Sequence, residues 1–84
     1  MSDNDVKEKA LIRAEGHAID AAHYLDQTAE AWKAAIRAGV EVNRQEIERS
    51  IADMRKTALT LRVRAAEARY MLAKHIDAKE LDDE

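Results

Sequence analysis

Apolar residues recur along this chain at the alternating spacing of three and four that places side chains on one side of an α-helix. In the second half these positions are Ile47, Ile51, Met54, Ala58, Leu61, Ala65, Ala68, Leu72 and Ile76. The first half has two adjoining rows, Leu11, Ala18, Leu25 and Trp32 and then Ala14, Ala21, Thr28 and Ala35, with Ala22, Ala29 and Ile36 beside them. The pattern predicts two long helices that pack together as in a coiled coil.

The segment between the two patterns has the features of a tight turn. Gly39 can adopt the left-handed conformation that ends many helices. Asn43 is a favoured N-cap residue, and Glu46 follows it at the spacing of a capping box. We therefore predict helices over about residues 5–38 and 44–81, a turn at residues 39–43 and a frayed acidic tail at residues 82–84. A flexible linker is the alternative, but it leaves the agreement of these features unexplained.

The expected fold class is all-α, with residues 1–84 forming one antiparallel two-helix hairpin. A kink or a split at Gly16 is an alternative to one continuous first helix, because glycine is unfavourable in a helix. The unbroken heptad from Leu11 to Ala18 favours the continuous helix. Two helices of about 50 Å form a rod with little interior. Because small domains are only marginally stable, we expect two hairpins to pair as a homodimeric four-helix bundle.

A second apolar stripe lies on the C-terminal helix, more than a third of a turn from the core row. We predict that it forms a partner or dimer interface together with three residues flanking the core of the first helix. The predicted interface residues are Leu59, Val63, Ala66, Tyr70, Ala73, Ile12, Ile19 and Tyr24. The competing interpretation is that these are scattered surface apolar residues, which are common on proteins.

Charge is unevenly distributed along the chain. The net charge is −3, but residues 44–74 contain eight basic and four acidic residues, a net charge of +4, so the remainder carries −7. Arg55, Arg62 and Arg69 recur every seven residues and are candidate contacts for an anionic partner. Attraction between the two helices is the simpler interpretation, and hairpin closure then places Glu15 opposite Arg69 and Asp26 near Arg55.

The sequence offers little catalytic chemistry. The absence of cysteine excludes thiolate metal sites and disulfides. Asp20 and His23 give one Asp-x-x-His unit, whereas di-metal bundles need two such units and further inward carboxylates. His75 falls in the core row of the second helix, where we expect a partly buried histidine. We therefore predict no enzyme activity, no metal and no cofactor.

The predicted function is a non-enzymatic protein–protein interaction module, acting as an adaptor or as an inhibitor that occupies a surface of a larger protein. In size and composition the chain is similar to small helical accessory proteins of bacteria and their phages. A nucleic-acid-binding regulator using the basic second helix is the alternative, and a bundle binding a metal or small molecule is a third class. With no apolar run of about 20 residues and no signal peptide, we expect no membrane association and a cytoplasmic location.

Overall fold

The computed structural model describes the backbone of residues 3–82 and the side chains of residues 3–78. Helix α1 spans Asp3–Arg37 and helix α2 spans Arg44–Asp82. The two helices pack side by side in a rod of 64 × 19 × 14 Å, and residues 3–82 contain no strand. The predicted helical hairpin is confirmed, with boundaries that differ by at most two residues. Of the predicted frayed tail, Asp82 ends α2, and residues 83–84 lie outside the described part of the chain.

Helix α1 runs without interruption through Gly16, which confirms the continuous helix. The glycine lies on the exposed side, and an added Cβ atom would meet nothing within 4 Å. Glycine is therefore not required at this position by packing.

The C-terminus of α1 closes in a Schellman motif. Gly39 has a φ angle of 88°, in the left-handed region that an L-residue rarely adopts. Its N–H donates to the carbonyl of Ile36 at 3.1 Å, and the N–H of Val40 donates to the carbonyl of Ala35 at 3.1 Å. These two bonds satisfy carbonyls that the end of a helix otherwise leaves unpaired.

The N-terminus of α2 is capped by Asn43. The Oδ1 atom of Asn43 accepts from the N–H of Glu46 at 3.2 Å, and its carbonyl accepts from Ile47 at 3.0 Å. The capping box is only half formed, because the described contacts include no return bond from the Asn43 N–H to the Glu46 carboxylate. The single cap still satisfies one of the free donors at this helix start.

Small side chains form the centre of the hairpin. The buried residues are Ala22, Ala29, Ile51, Ala58, Ala65 and Ala68. Along α2 the predicted core row is confirmed as far as Leu72. Beyond that point His75 turns towards α1 with its side chain 23% exposed, while Ile76 is 40% exposed. The core position at this end of α2 is therefore occupied by His75, as a partly buried histidine, and not by Ile76.

The core face of α1 differs from the predicted one. Ala14 and Ala21 are exposed, whereas Ala22 and Ala29 are completely buried. The row that accompanies Leu11, Ala18 and Leu25 therefore consists of Glu15, Ala22, Ala29 and Ile36. Trp32, which was predicted to extend the first row, is 36% exposed. The prediction failed because both rows are rich in alanine. It also did not include the acidic Glu15 among the core rows.

Candidate interaction surfaces

Three arginines of α2 form ion pairs across the hairpin. Arg62 donates to Asp26 at 2.6 Å, Arg69 donates to Glu15 at 3.3 Å, and Arg55 pairs with Glu30. The order of these pairs along the two helices shows that α1 and α2 are antiparallel. The predicted pairing of Glu15 with Arg69 is confirmed.

The predicted proximity of Asp26 to Arg55 is wrong by one heptad, because Asp26 pairs with Arg62 and Arg55 pairs with Glu30. A long arginine side chain reaches a carboxylate one turn in either direction, so spacing alone does not select between these partners. The side chains of Arg55 and Arg62 are 45% exposed, and such pairs contribute only about 0–1 kcal/mol each. Their main effect is on the register of the two helices.

The predicted interface residues of α2 all lie outside the hairpin core. We call Leu59, Val63, Ala66, Tyr70 and Ala73 the outer stripe. Leu59 is 64% exposed and Tyr70 is 68% exposed. At about 100° per residue, Leu59 is rotated by about 100° from the buried Ala58, and Val63 by about 160° from the buried Ala65. The stripe is thus an apolar strip on the side of α2 that α1 does not cover.

The predicted interface residues of α1 do not form one patch. Ile12 and Ile19 precede Asp26 at heptad spacing, so they lie in the same row as the carboxylate that binds Arg62. This row and the three arginines define one side of the rod, which we call the arginine edge. Tyr24 is rotated by about 120–140° from the two isoleucines and lies on a different side of α1. The eight predicted residues therefore occupy two separate surfaces.

The outer stripe adjoins the arginine edge. Leu59 lies three residues before Arg62 and Ala66 lies four residues after it, so both flank this arginine on the helix surface. The outer stripe of α2 and the two isoleucines of α1, Ile12 and Ile19, therefore lie beside the same ion pairs. The result is a long surface on which exposed apolar side chains alternate with internally neutralised arginines.

A cleft at the turn end of the rod did not emerge from the sequence pattern. It has a volume of about 560 Å³, and its lining combines apolar side chains, one carboxylate and four cations. The apolar residues are Ile36, Ile51 and Ala52, the carboxylate is Glu48, and the cations are Lys33, Arg37, Arg44 and Arg55. Lys33 follows Asp26 at heptad spacing, so the cleft continues the arginine edge towards the turn. The basic residues on either side of the turn were a visible indication, but their convergence depends on how the two helices pack.

Besides Arg55, two further cations of this cleft have a carboxylate partner. Arg44 binds Glu48 at 3.1 Å within the first turn of α2, and Lys33 lies 3.7 Å from Glu30. Glu30 is also the partner of Arg55, so this one carboxylate forms ion pairs with both Lys33 and Arg55. Among residues 3–78, no carboxylate lies within ion-pair distance of Arg37. The cleft therefore has an excess of positive charge.

A smaller cleft of about 360 Å³ lies towards the end of the rod opposite the turn, which we call the open end. It is lined by Lys7, Ala10, Leu11, Met71 and His75. The Nε2 atom of His75 is buried without a hydrogen-bond partner and lies 3.9 Å from Oε1 of Glu8. Within the described residues, no three His, Asp or Glu side chains are grouped closely enough to hold a metal ion.

Neither helix has, within the described residues, an apolar stretch long enough to cross a bilayer. Comparison of the chain with protein-family models, with curated proteins and with solved structures found no match. Inference about function therefore rests on the surfaces described above.

Proposed function

We propose that this hairpin is a non-enzymatic protein–protein interaction module whose contact surface is the outer stripe together with the adjoining arginine edge. It acts as an adaptor, or as an inhibitor that occupies a surface of a larger protein. The observation that carries this proposal is the contrast between the two sides of α2. Alanines fill most of its buried row, while Leu59, Val63 and Tyr70 remain exposed.

The exposed apolar side chains provide the binding free energy for such a role. Full burial of a large apolar side chain contributes about 1.5–3 kcal/mol. A partner that covers Leu59, Val63 and Tyr70 would therefore gain several kcal/mol before the cost of association. Tyrosine is favoured at interfaces because its ring supplies a large contact area while its hydroxyl group remains hydrated. Extended apolar patches with polar borders are typical of interaction sites.

A second copy of the chain is the simplest molecule to cover the outer stripe. Two hairpins that pack through this surface would form a homodimeric four-helix bundle. The proposal is supported by the small interior of the single hairpin, since residues 3–78 contain no large side chain that is fully buried. Pairing would bury apolar area that a rod only two helices thick leaves exposed.

The nucleic-acid alternative has weaker support. Arg55, Arg62 and Arg69 each pair with a carboxylate of α1, so contact with a phosphate group would first require breaking an existing ion pair. The net charge of −3 also opposes association with a polyanion. Binding to DNA or RNA that weakens steeply with added salt would favour this alternative.

The proposal is tested with the double variant Val63→Glu and Tyr70→Ala. Far-UV circular dichroism should show unchanged helicity, because both residues are exposed. Sedimentation equilibrium should show weaker self-association, and proteins captured by the wild type from a lysate of its own organism should be lost. Thr57→Glu is the matched control, since it places a glutamate at another exposed β-branched residue of α2, on a different side of the helix.

Equal oligomeric state and an equal set of captured proteins for wild type, control and double variant would show that the outer stripe is idle surface. Loss of binding in the control as well would show that any added negative charge weakens association. Either result would contradict the assignment of function to the outer stripe.

A further inference from the structure

The turn-end cleft combines an apolar floor with a rim of surplus positive charge. Ile36, Ile51 and Ala52 supply the apolar lining, and four cations surround it. Glu48 and Glu30 neutralise two of these charges, which leaves a surplus of two, with Arg37 lacking a carboxylate partner among residues 3–78. The complementary ligand is an acidic group joined to an apolar side chain.

The chain itself contains a segment of this chemistry. Residues 80–84 read Glu-Leu-Asp-Asp-Glu, four acidic residues around one leucine. This acidic segment begins within the last turn of α2, at the opposite end of the helix from the cleft. Helix α2 has 39 residues and is about 58 Å long at 1.5 Å per residue, so the segment of one chain cannot reach its own cleft. Only another copy can bring the two together.

A two-fold axis within the outer stripe permits such a contact. Because α2 spans Arg44–Asp82, its middle residue is Val63, which belongs to the outer stripe. When two copies of α2 pack antiparallel with the two-fold axis at Val63, position 82 of one copy lies opposite position 44 of the other. Arg44 lines the cleft. Two-fold symmetry repeats the contact at the other end of the assembly.

We propose that the acidic segment 80–84 of one chain binds in the turn-end cleft of a second copy, and that two chains exchange these contacts in an antiparallel pair. This inference rests on the proposed self-association through the outer stripe, and it specifies the orientation of that assembly. By chemistry, the leucine of the segment is suited to the apolar floor, and its carboxylates are suited to the surplus positive charge of the rim, which includes Arg37, unpaired within residues 3–78.

A charge-swap experiment on the full-length chain tests the proposal. One variant carries Arg37→Glu and Arg44→Glu in the cleft, and a second carries Glu80→Lys and Asp83→Lys in the segment. Each alone places like charges at both ends of the antiparallel pair. We expect its dissociation constant, measured by sedimentation equilibrium at low salt, to rise by about tenfold or more, as several lost or reversed surface pairs of up to about 1 kcal/mol imply.

The decisive measurement is the mixture of the two variants. In a heterodimer, the reversed cleft meets the reversed segment at one end, and the native cleft meets the native segment at the other. We expect equimolar mixing to restore the dissociation constant to within about threefold of the wild-type value, and 1 M salt to reduce the differences among all forms. The matched control Arg13→Glu with Arg64→Glu changes the net charge by the same amount as the cleft variant, at exposed residues outside the cleft, and it should associate like the wild type.

Two outcomes would overturn the inference. Self-association that is unaffected by both variants shows that the segment and the cleft do not meet. Folded variants that fail to associate when mixed show that their defects are not complementary. If Val63→Glu with Tyr70→Ala still abolishes association in either case, the outer stripe remains the interface and only the antiparallel orientation is wrong.

Discussion

Single residues at the turn determine where each helix ends. Gly39 permits the left-handed conformation that places two N–H groups on the last carbonyls of α1. Four residues later, Asn43 supplies the side-chain oxygen that caps α2. Both roles were predictable from the sequence because they are local and depend on the chemistry of one residue.

Asn43→Ala removes the cap at the start of α2. We expect the free energy of unfolding to fall by about 1 kcal/mol, because the N–H of Glu46 loses its acceptor. Urea denaturation followed by circular dichroism measures this change. Asn43→Ser, which retains a capping oxygen, should recover most of the loss, and equal stability of all three proteins would show that the cap contributes nothing.

The two glycines should respond in opposite ways to replacement by alanine. Both have open space around the added Cβ atom, but only Gly39 has a positive φ angle. Gly16→Ala should stabilise the protein by about 0.5–1 kcal/mol, because alanine loses less conformational entropy in a helix. Gly39→Ala should destabilise it by about 1–2 kcal/mol through strain in the left-handed conformation. Thermal melts that shift in the same direction for both variants would contradict this account.

At the scale of the helices, the two core rows were not equally predictable. The row of α2 contains Ile51, Met54 and Leu61 between polar neighbours, so its phase was evident from the sequence. In α1 alanine occupies exposed and buried positions alike, and the ion pair of Glu15 with Arg69 turns a charged residue towards the partner helix. Alanine pattern alone therefore could not distinguish Ala21 from Ala22. The turn-end cleft depends on packing between the helices and was missed for the same reason.

Leucine substitutions at two adjacent alanines test the observed phase of α1. Ala22 is completely buried and Ala21 is exposed. Ala22→Leu should lower the free energy of unfolding by about 1–3 kcal/mol, because the larger side chain must separate closely packed helices. Ala21→Leu should leave it within about 0.5 kcal/mol of the wild type. Denaturation curves with the larger loss at Ala21 would place the core face where the sequence alone predicted it.

At the scale of the whole molecule, the rod is narrow, and its interior is built mainly from alanine. Alanine permits a close approach of the helix axes but buries little apolar area for each residue that is ordered. Association is therefore expected to supply a substantial part of the stability of the folded chain. We propose that the outer stripe, the arginine edge and the turn-end cleft together form the surface for this association.

Coupling between association and folding makes the melting temperature depend on protein concentration. We expect it to rise as the concentration increases from about 1 to 100 μM, since mass action favours the associated, folded form. Circular dichroism melts in cells of different path length measure this directly. Val63→Glu with Tyr70→Ala should melt at a temperature that does not vary with concentration. A wild-type melt that is equally independent of concentration would identify a stable monomer.

The closed turn also has a consequence for the order in which the hairpin assembles. Contacts beside the turn join residues close in sequence, such as Arg55 and Glu30, whereas Glu8 and His75 at the open end are 67 positions apart. Closing a loop costs more entropy as it lengthens, so pairing of the helices should start at the turn and advance towards the termini. In the native state, opening of the hairpin should start at the termini and advance towards the turn. Amide hydrogens of the open end should exchange with solvent through partial unzipping, while those beside the turn should exchange only when the whole hairpin opens.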